Sequence, residues 1–316
     1  MLVTVAICTR DRAALLEQGL TALTGLALPA GVDWELLVVN NGSRDHTDAV
    51  IAAFASKLPI RRLFEPHAGL SRARNLAVRH ARGAYILWTD DDALVSREWL
   101  THYVAAFRRW PEAALFGGPV VPWFEESPPS WLRQVWPRVA HAYAVLAYGE
   151  EPTPLGGGVL PFGVNMVVRR DYQARFPYDP TLGRAPGRLI PGEETAVASA
   201  ILGAGAPGWW LPLPSVRHFI PAERMTTRYL RNYFSGCGEF LGRFSPDRVS
   251  RPLFGRPRWL WRHAVQSELR YRVRRVTHGS SVWIEDLRAA SLAWGRLRGQ
   301  LPANGEGSTL HRPVRA

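Results

Sequence analysis

The feature that most constrains this chain is an alternation of short, β-branched apolar runs with segments whose apolar residues recur at helical spacing. Residues 2–8, 34–39, 60–64, 84–88 and 114–121 read as strands. Between them, residues 12–26, 45–57, 69–82 and 98–110 have helical periodicity. Such alternation predicts an α/β fold on a mainly parallel, doubly wound sheet. Residues 161–169 and 209–213 add strands, 183–192 a glycine-rich loop and 193–202 a helix. Residues 122–158, rich in Pro, Trp and Gly, read as an insertion wrapping over the site. Past His218 come three basic helices, 225–240, 258–276 and 281–298, and a tail at 303–316 predicted to be disordered.

At the end of the fourth strand stand three consecutive aspartates, Asp90, Asp91 and Asp92. Adjacent carboxylates repel and are costly to desolvate, so the arrangement calls for a partner. A divalent metal is one, because hard cations prefer carboxylate oxygens and keep positions open for phosphate. The sheet's C-terminal edge is also where open α/β folds bind ligands. The plain alternative is a solvated Asp-rich loop or a helix N-terminus that favours negative charge.

Composition narrows the classes. With 47% hydrophobic and 11% aromatic residues, 316 residues suffice for a substantial core. Cys8 and Cys237 are the only cysteines and show no CxxC spacing, so neither a disulfide framework nor a zinc site is expected. A reducing, cytoplasmic compartment fits. No charged leader precedes residues 2–8, and no run of about 18 apolar residues occurs, so neither signal peptide nor membrane span is expected. Basic and acidic side chains balance over residues 1–216, so the whole net charge of +12 falls in the last hundred residues. A neutral, catalytic-looking part is followed by a basic extension.

The topology brings several segments to one sheet edge. Thr9 and Arg10 follow the first strand; Asn41, Ser43 and Asp45 follow the second, and all offer groups for a base or ribose. In the helix that starts near Gly69, Arg72 and Arg74 lie on different faces, so only one turns inward; Arg74 or Asn75 is the candidate. His218, at a strand end, is either structural or the residue that completes a metal shell with Asp92. Glu193 and Glu194 open a helix, where they either complement its dipole or supply a general base.

Seven segments together resemble the family-2 (GT-A fold) glycosyltransferases over roughly residues 1–220: VAICTR at 5–10, VVNNGS at 38–43, GLSRARN at 69–75, ARGAY at 81–85, DDD at 90–92, GVNM at 163–166 and GEET at 192–195. The resemblance implies a GT-A catalytic domain over 1–220, with nucleotide-sugar binding at about 1–121 and an acceptor side at about 122–220. A helical extension follows at 221–300 and a tail at 301–316. It implies inverting transfer from a nucleotide-diphosphate sugar to a saccharide or lipid-linked hydroxyl, with Mn²⁺ or Mg²⁺, in surface polysaccharide or glycolipid assembly. Thr9, Arg10, Asn41, Ser43, Arg74, Asp90, Asp91 and Asn165 are then expected to contact the donor, with Asp90 at the ribose. Asp92 and His218 would hold the metal. Glu194 falls at the position of the catalytic base, with Glu193 the alternative. Two departures stand out: Asn40 where an acidic residue is common, and Glu194 where the family has aspartate.

Two other classes compete. A sugar nucleotidyltransferase shares the sheet and the metal–diphosphate logic, but the loop Thr9-Arg10-Asp11-Arg12 lacks the glycines such enzymes present. A nucleic-acid binder could use the arginine clusters at 270–275, yet no nucleic-acid motif accompanies them. Trp259, Trp261, Trp283 and Trp294 among arginines suit a peripheral contact with an anionic membrane on its inner face. The alternative is a helical subdomain whose tryptophans are core and whose arginines are solvated.

Overall fold

The computed structural model describes residues 1–185, 187–244 and 252–300; the tail expected at 303–316 lies outside them. The first half is a regular alternation. Strands β1 (Leu2–Thr9), β2 (Asp33–Asn40), β3 (Ile60–Phe64) and β4 (Tyr85–Trp88) are joined by helices α1 (Ala13–Thr24), α2 (Thr47–Phe54) and α3 (Leu70–His80). The four strands are parallel, in spatial order β3-β2-β1-β4. Both sheet faces are buried, which is why these strands are apolar throughout. Val3, Val5 and Ile7 face one layer with Leu16, Leu20 and Phe54, whereas Ala6 faces the other with Ala73 and Ala77.

The chain continues, apart from short 3-10 turns and a two-stranded hairpin at 252–257, through β5 (Ala93–Val95), α4 (Trp99–Arg109), β6 (Leu115–Gly117), β7 (Val120–Phe124), α5 (Ser130–Val139), β8 (Thr153–Pro154), β9 (Met166–Arg169), α6 (Arg170–Arg175), β10 (Gly183–Ala185), β11 (Arg188–Ile190), α7 (Glu193–Gly203), β12 (Gly208–Trp210), β13 (Val216–Ile220), α8 (Thr227–Phe244), α9 (Arg258–Thr277) and α10 (Ser280–Gly299). They complete an eight-stranded sheet ordered β3-β2-β1-β4-β9-β6-β12-β8, with β5-β13-β7 as a small second sheet.

Several elements depart from the sequence reading, which expects no strand at β5 or β13 and sets His218 at a strand end, whereas it is the middle residue of β13. β9 runs antiparallel to both β4 and β6, because the chain enters it at Met166, beside Trp88 where β4 ends. The strand expected at 114–121 divides into β6 and β7, which belong to different sheets. The insertion contains a helix, α5, whose Leu132, Val135 and Val139 are buried despite Pro137 near its end. The glycine-rich loop at 183–192 contains a two-stranded antiparallel hairpin, β10–β11.

The basic helices are not an appendage. Leu230, Phe234, Tyr271, Trp283, Ile284 and Leu287 share one core with Leu132, Val135 and Tyr143 of the insertion. α8 and α10 pack in parallel through glycines spaced four apart: Gly238 and Gly242 on one, Gly295 and Gly299 on the other. A Cβ on Gly238 would overlap the Leu292 carbonyl oxygen, and one on Gly295 the Ser235 carbonyl oxygen. The two backbones therefore touch. Gly295→Val is expected to lower stability by about 3 kcal/mol, since neither backbone can give way. Chemical denaturation reads this directly, and an unchanged midpoint would mean that the helices are not in backbone contact.

Candidate active site

The three aspartates cap β4 and are divided among different partners. Asp91 is buried and accepts a hydrogen bond from Arg12 Nη1 at 3.0 Å. Asp92, also buried, accepts from the same nitrogen at 2.8 Å and lies 3.5 Å from Arg224 Nη2. Asp90 is more open, with Oδ1 3.6 Å from Arg74 Nη2. Burial pushes the Asp91 carboxyl up to about 6, against the pull of Arg12. Burial acts on Asp92 too, but His218, Arg12 and Arg224 outweigh it and hold that carboxyl well below its ordinary range.

His218 reaches Asp92 through strand register. β13 pairs antiparallel with β5 so that His218 stands opposite Ala93, and Phe219 N–H donates to the Asp92 carbonyl at 2.8 Å. Nε2 then lies 3.3 Å from Asp92 Oδ1. The other ring nitrogen, Nδ1, is 2.8 Å from the Tyr143 carbonyl, which can only accept, so Nδ1 carries a proton. Nε2 is therefore the ring nitrogen turned toward the carboxylate. Asp90, Asp92 and His218 offer ligand atoms all within 4.8 Å of one another, a donor set of hard oxygens and one oriented imidazole that fits a divalent ion.

Across the cavity, α7 begins at Glu193. Gly192 precedes it with φ +117°, and a Cβ there would press on the Phe240 ring at 2.9 Å, so this position takes glycine. Arg74, on the inward face of α3, is buried and meets Glu193 Oε1 at 3.2 Å and Glu194 Oε2 at 3.8 Å; Arg72 is exposed. Gly163 makes room for the guanidinium, since a Cβ there would overlap Arg74 Nη2. Burial, then the charge of Glu194, pushes the Glu193 carboxyl up to about 8 in spite of Arg74. Glu194 Oε2 is buried without a hydrogen-bond partner.

These groups share one cavity of about 580 Å³. Thr9, Arg10, Asn41, Arg74, Asp90, Asp91, Asp92, Glu193, Glu194 and His218 all line it. Two expected donor contacts do not. Ser43 Oγ accepts the Asp11 N–H at 3.0 Å, which ties two loops together outside the wall. Asn165 is wholly buried, with every hydrogen-bonding position taken. Its Oδ1 accepts from Trp99 Nε1 and Tyr103 OH, each at 2.8 Å, and its Nδ2 donates to the carbonyls of Pro119 and Pro214. Asn165 is thus a structural clamp. Asn75 plays a similar part, binding both backbone groups of Tyr178 at 2.8 and 2.9 Å. Asn41 lines the cavity but spends its amide on Glu65, His67 and Gly69 backbone groups. Arg10 donates to the Asn41 carbonyl at 2.7 Å. Cys8 also lines the cavity, and desolvation pushes its thiol up to about 12.

The sequence reading singles out neither Arg12 and Arg224 nor the far wall, formed by Tyr143 and by Tyr229, Tyr233, Phe240 and Leu241 of α8. Arg12 sits at a loop–helix junction and Arg224 in the basic last third, so composition hides both. The spacing of 229, 233, 240 and 241 on a helix is a signal that was there to be read.

A family model described as glycosyl transferase family 2 matches residues 4–171. The succinoglycan biosynthesis protein ExoM of Rhizobium meliloti (strain 1021) is 25% identical over 251 residues, 78% of this chain and 75% of that protein. An S. aureus TarS 1–349 structure in complex with UDP superposes with TM-score 0.55 at 15% identity, over 95% of this chain and 90% of that one. The mannosyltransferase PcManGT from Pyrobaculum calidifontis, in complex with GDP-Man and Mn²⁺, gives TM-score 0.56 at 18% identity, over 94% and 86%. At these identities the structural likeness establishes a common fold.

The raised Glu193 carboxyl predicts a pH dependence. Between its ordinary value of 4.5 and about 8 the folded chain keeps a proton that the unfolded chain has lost, so this group's contribution to stability falls as pH rises through that window. In metal-free buffer, the stability of Glu193→Gln relative to the parent should therefore improve from pH 5 to pH 9. A pH-independent difference in melting temperature would show that Glu193 titrates normally.

Proposed function

The chain belongs to glycosyl transferase family 2 and is a glycosyltransferase; on that premise we propose inverting transfer of a sugar from a nucleotide-diphosphate donor to a saccharide or lipid-linked hydroxyl, in surface polysaccharide assembly. The observation that carries this reading is the pairing, in one cavity, of the Asp90–Asp92–His218 cluster with a carboxylate pair at a helix start. The printed name of the Rhizobium relative supports a polysaccharide product, and the nucleotide complexes of structures sharing the fold support the donor class.

Charge balance favours such a donor. Five carboxyls, Glu193 among them with its proton retained, and five guanidiniums line the cavity among the described residues. A diphosphate entering with a divalent cation leaves that balance intact. Asp92 and His218 would hold Mn²⁺ or Mg²⁺, with Asp90 beside them toward the ribose. When bound, the ion supplies Lewis-acid stabilisation to the departing diphosphate. Arg12 fixes Asp92 and Asp91, and Arg224 adds positive charge on the same side. Glu194 is the proposed base. Its neighbour Glu193 is engaged by Arg74 and kept protonated toward neutral pH, whereas Glu194 Oε2 lies beyond hydrogen-bond distance of that guanidinium. A diphosphate leaves without protonation, so one base on the opposite face of the sugar suffices, and inversion follows. The aromatic wall from α8 suits a sugar acceptor, so the proposed catalytic unit, placed at 1–220 by sequence, draws on the segment proposed as its extension.

Asp92→Ala is expected to abolish transfer and manganese-dependent donor binding; full activity in that variant would remove the metal reading. Glu194→Ala should lower kcat by about 10²- to 10⁴-fold with donor affinity retained. If Glu193→Ala alone has that effect, the base is Glu193.

A further inference from the structure

Helix α9 carries a row of aliphatic side chains that no described element covers. Val265, Leu269, Val273 and Val276 are 46%, 57%, 59% and 83% exposed. At four-, four- and three-residue spacing they fall on one face over roughly 16 Å. Single exposed aliphatics are ordinary, but four in line on one helix are not. The opposite side of α9 is anchored by buried Leu260, Ala264, Ser267 and Tyr271, so the row points away from the protein. Exposed Phe254 and half-exposed Trp259 extend apolar surface at its N-terminal end.

The tryptophans expected at a lipid interface are mostly elsewhere. Trp283 is in the core, and Trp261 and Trp294 pack on one another with ring centroids 6.0 Å apart. Helical geometry sets Arg258, Arg262 and Arg272 on the same face, all exposed. Among the described residues Arg258 and Arg262 have no ion pair, and Arg272 has one, with Glu268.

We propose that this face of α9 docks the protein on an anionic lipid surface, with the aliphatic row entering the headgroup–acyl boundary and the arginines meeting lipid phosphates. Charge complementarity selects this occupant. A second copy would bring Arg258, Arg262 and Arg272 against another arginine-rich face. A nucleic-acid backbone would leave the valines unmatched. The inference is independent of the donor chemistry, because vesicle binding needs no substrate.

The test is co-sedimentation of the full chain with vesicles of phosphatidylcholine alone or mixed with phosphatidylglycerol. Binding is expected only to the anionic vesicles and should weaken as salt rises. The triple variant L269E/V273E/V276E should lose about tenfold or more of the bound fraction at an unchanged melting temperature. V276S, at the most exposed position, should weaken binding less. Failure of the parent to sediment with anionic vesicles would overturn the proposal, as would equal sedimentation of the triple variant. A parent dimer that the triple variant dissolves, without vesicle binding, would assign the face to a second copy.

Discussion

Buried negative charge is the constraint around which the rest of this molecule is arranged. Asp91, Asp92 and Glu193 are buried carboxyls that converge on one cavity, with Asp90 and Glu194 beside them. Desolvation alone would protonate them or unfold the site. The structure answers with guanidiniums on separate elements: Arg12 before α1, Arg74 on α3 and Arg224 after β13. Each bridges parts far apart in sequence, so compensating the charge also fixes where the loops stand. Between Asp92 Oδ1 and His218 Nε2, 3.3 Å apart, the partner is an imidazole and not an arginine. With Asp90 these two offer ligand atoms within 4.8 Å of one another, the set proposed above to hold a cation.

Much of this was legible in sequence, for identifiable reasons. A parallel strand buried on both faces is apolar without interruption, so β1, β2 and β4 are visible as runs, and the aspartates stand out because they end one. Arg74 and Arg72 separate by helical spacing alone, and the structure turns Arg74 inward. Asn165 shows the opposite case. A polar residue in a motif segment looks like a ligand contact, but only three-dimensional packing reveals four protein partners that exhaust it. Ser43 fails likewise, because its partner Asp11 lies on another loop. The reversal of β9 was hidden as well, since strand direction depends on where the preceding insertion delivers the chain, and residues 122–158 have no strong period.

The basic third illustrates how composition misleads about location. Its charge suggested a basic extension to the catalytic part, yet α8 supplies one wall of the cavity and its apolar side shares a core with α5. The glycines at 238, 242, 295 and 299 explain how so arginine-rich a segment packs tightly: backbone contact between α8 and α10 takes the place of large interdigitating side chains. α9 buries Leu260, Ala264, Ser267 and Tyr271 on one side, and among the described residues nothing covers its aliphatic row.

The adjacent glutamates complete the argument about charge. Two carboxylates side by side at a helix start cannot both ionise freely, and the environment pushes them apart. Glu193, facing Arg74, is nevertheless the more buried, and desolvation together with the Glu194 charge raises it to about 8. Glu194 stands beside it in the cavity, with its buried Oε2 free of any hydrogen-bond partner. Arg74 also touches Asp90, so one guanidinium senses both the carboxylate pair and the aspartate cluster. Changes in charge at one side of the cavity are therefore felt at the other through a single buried side chain.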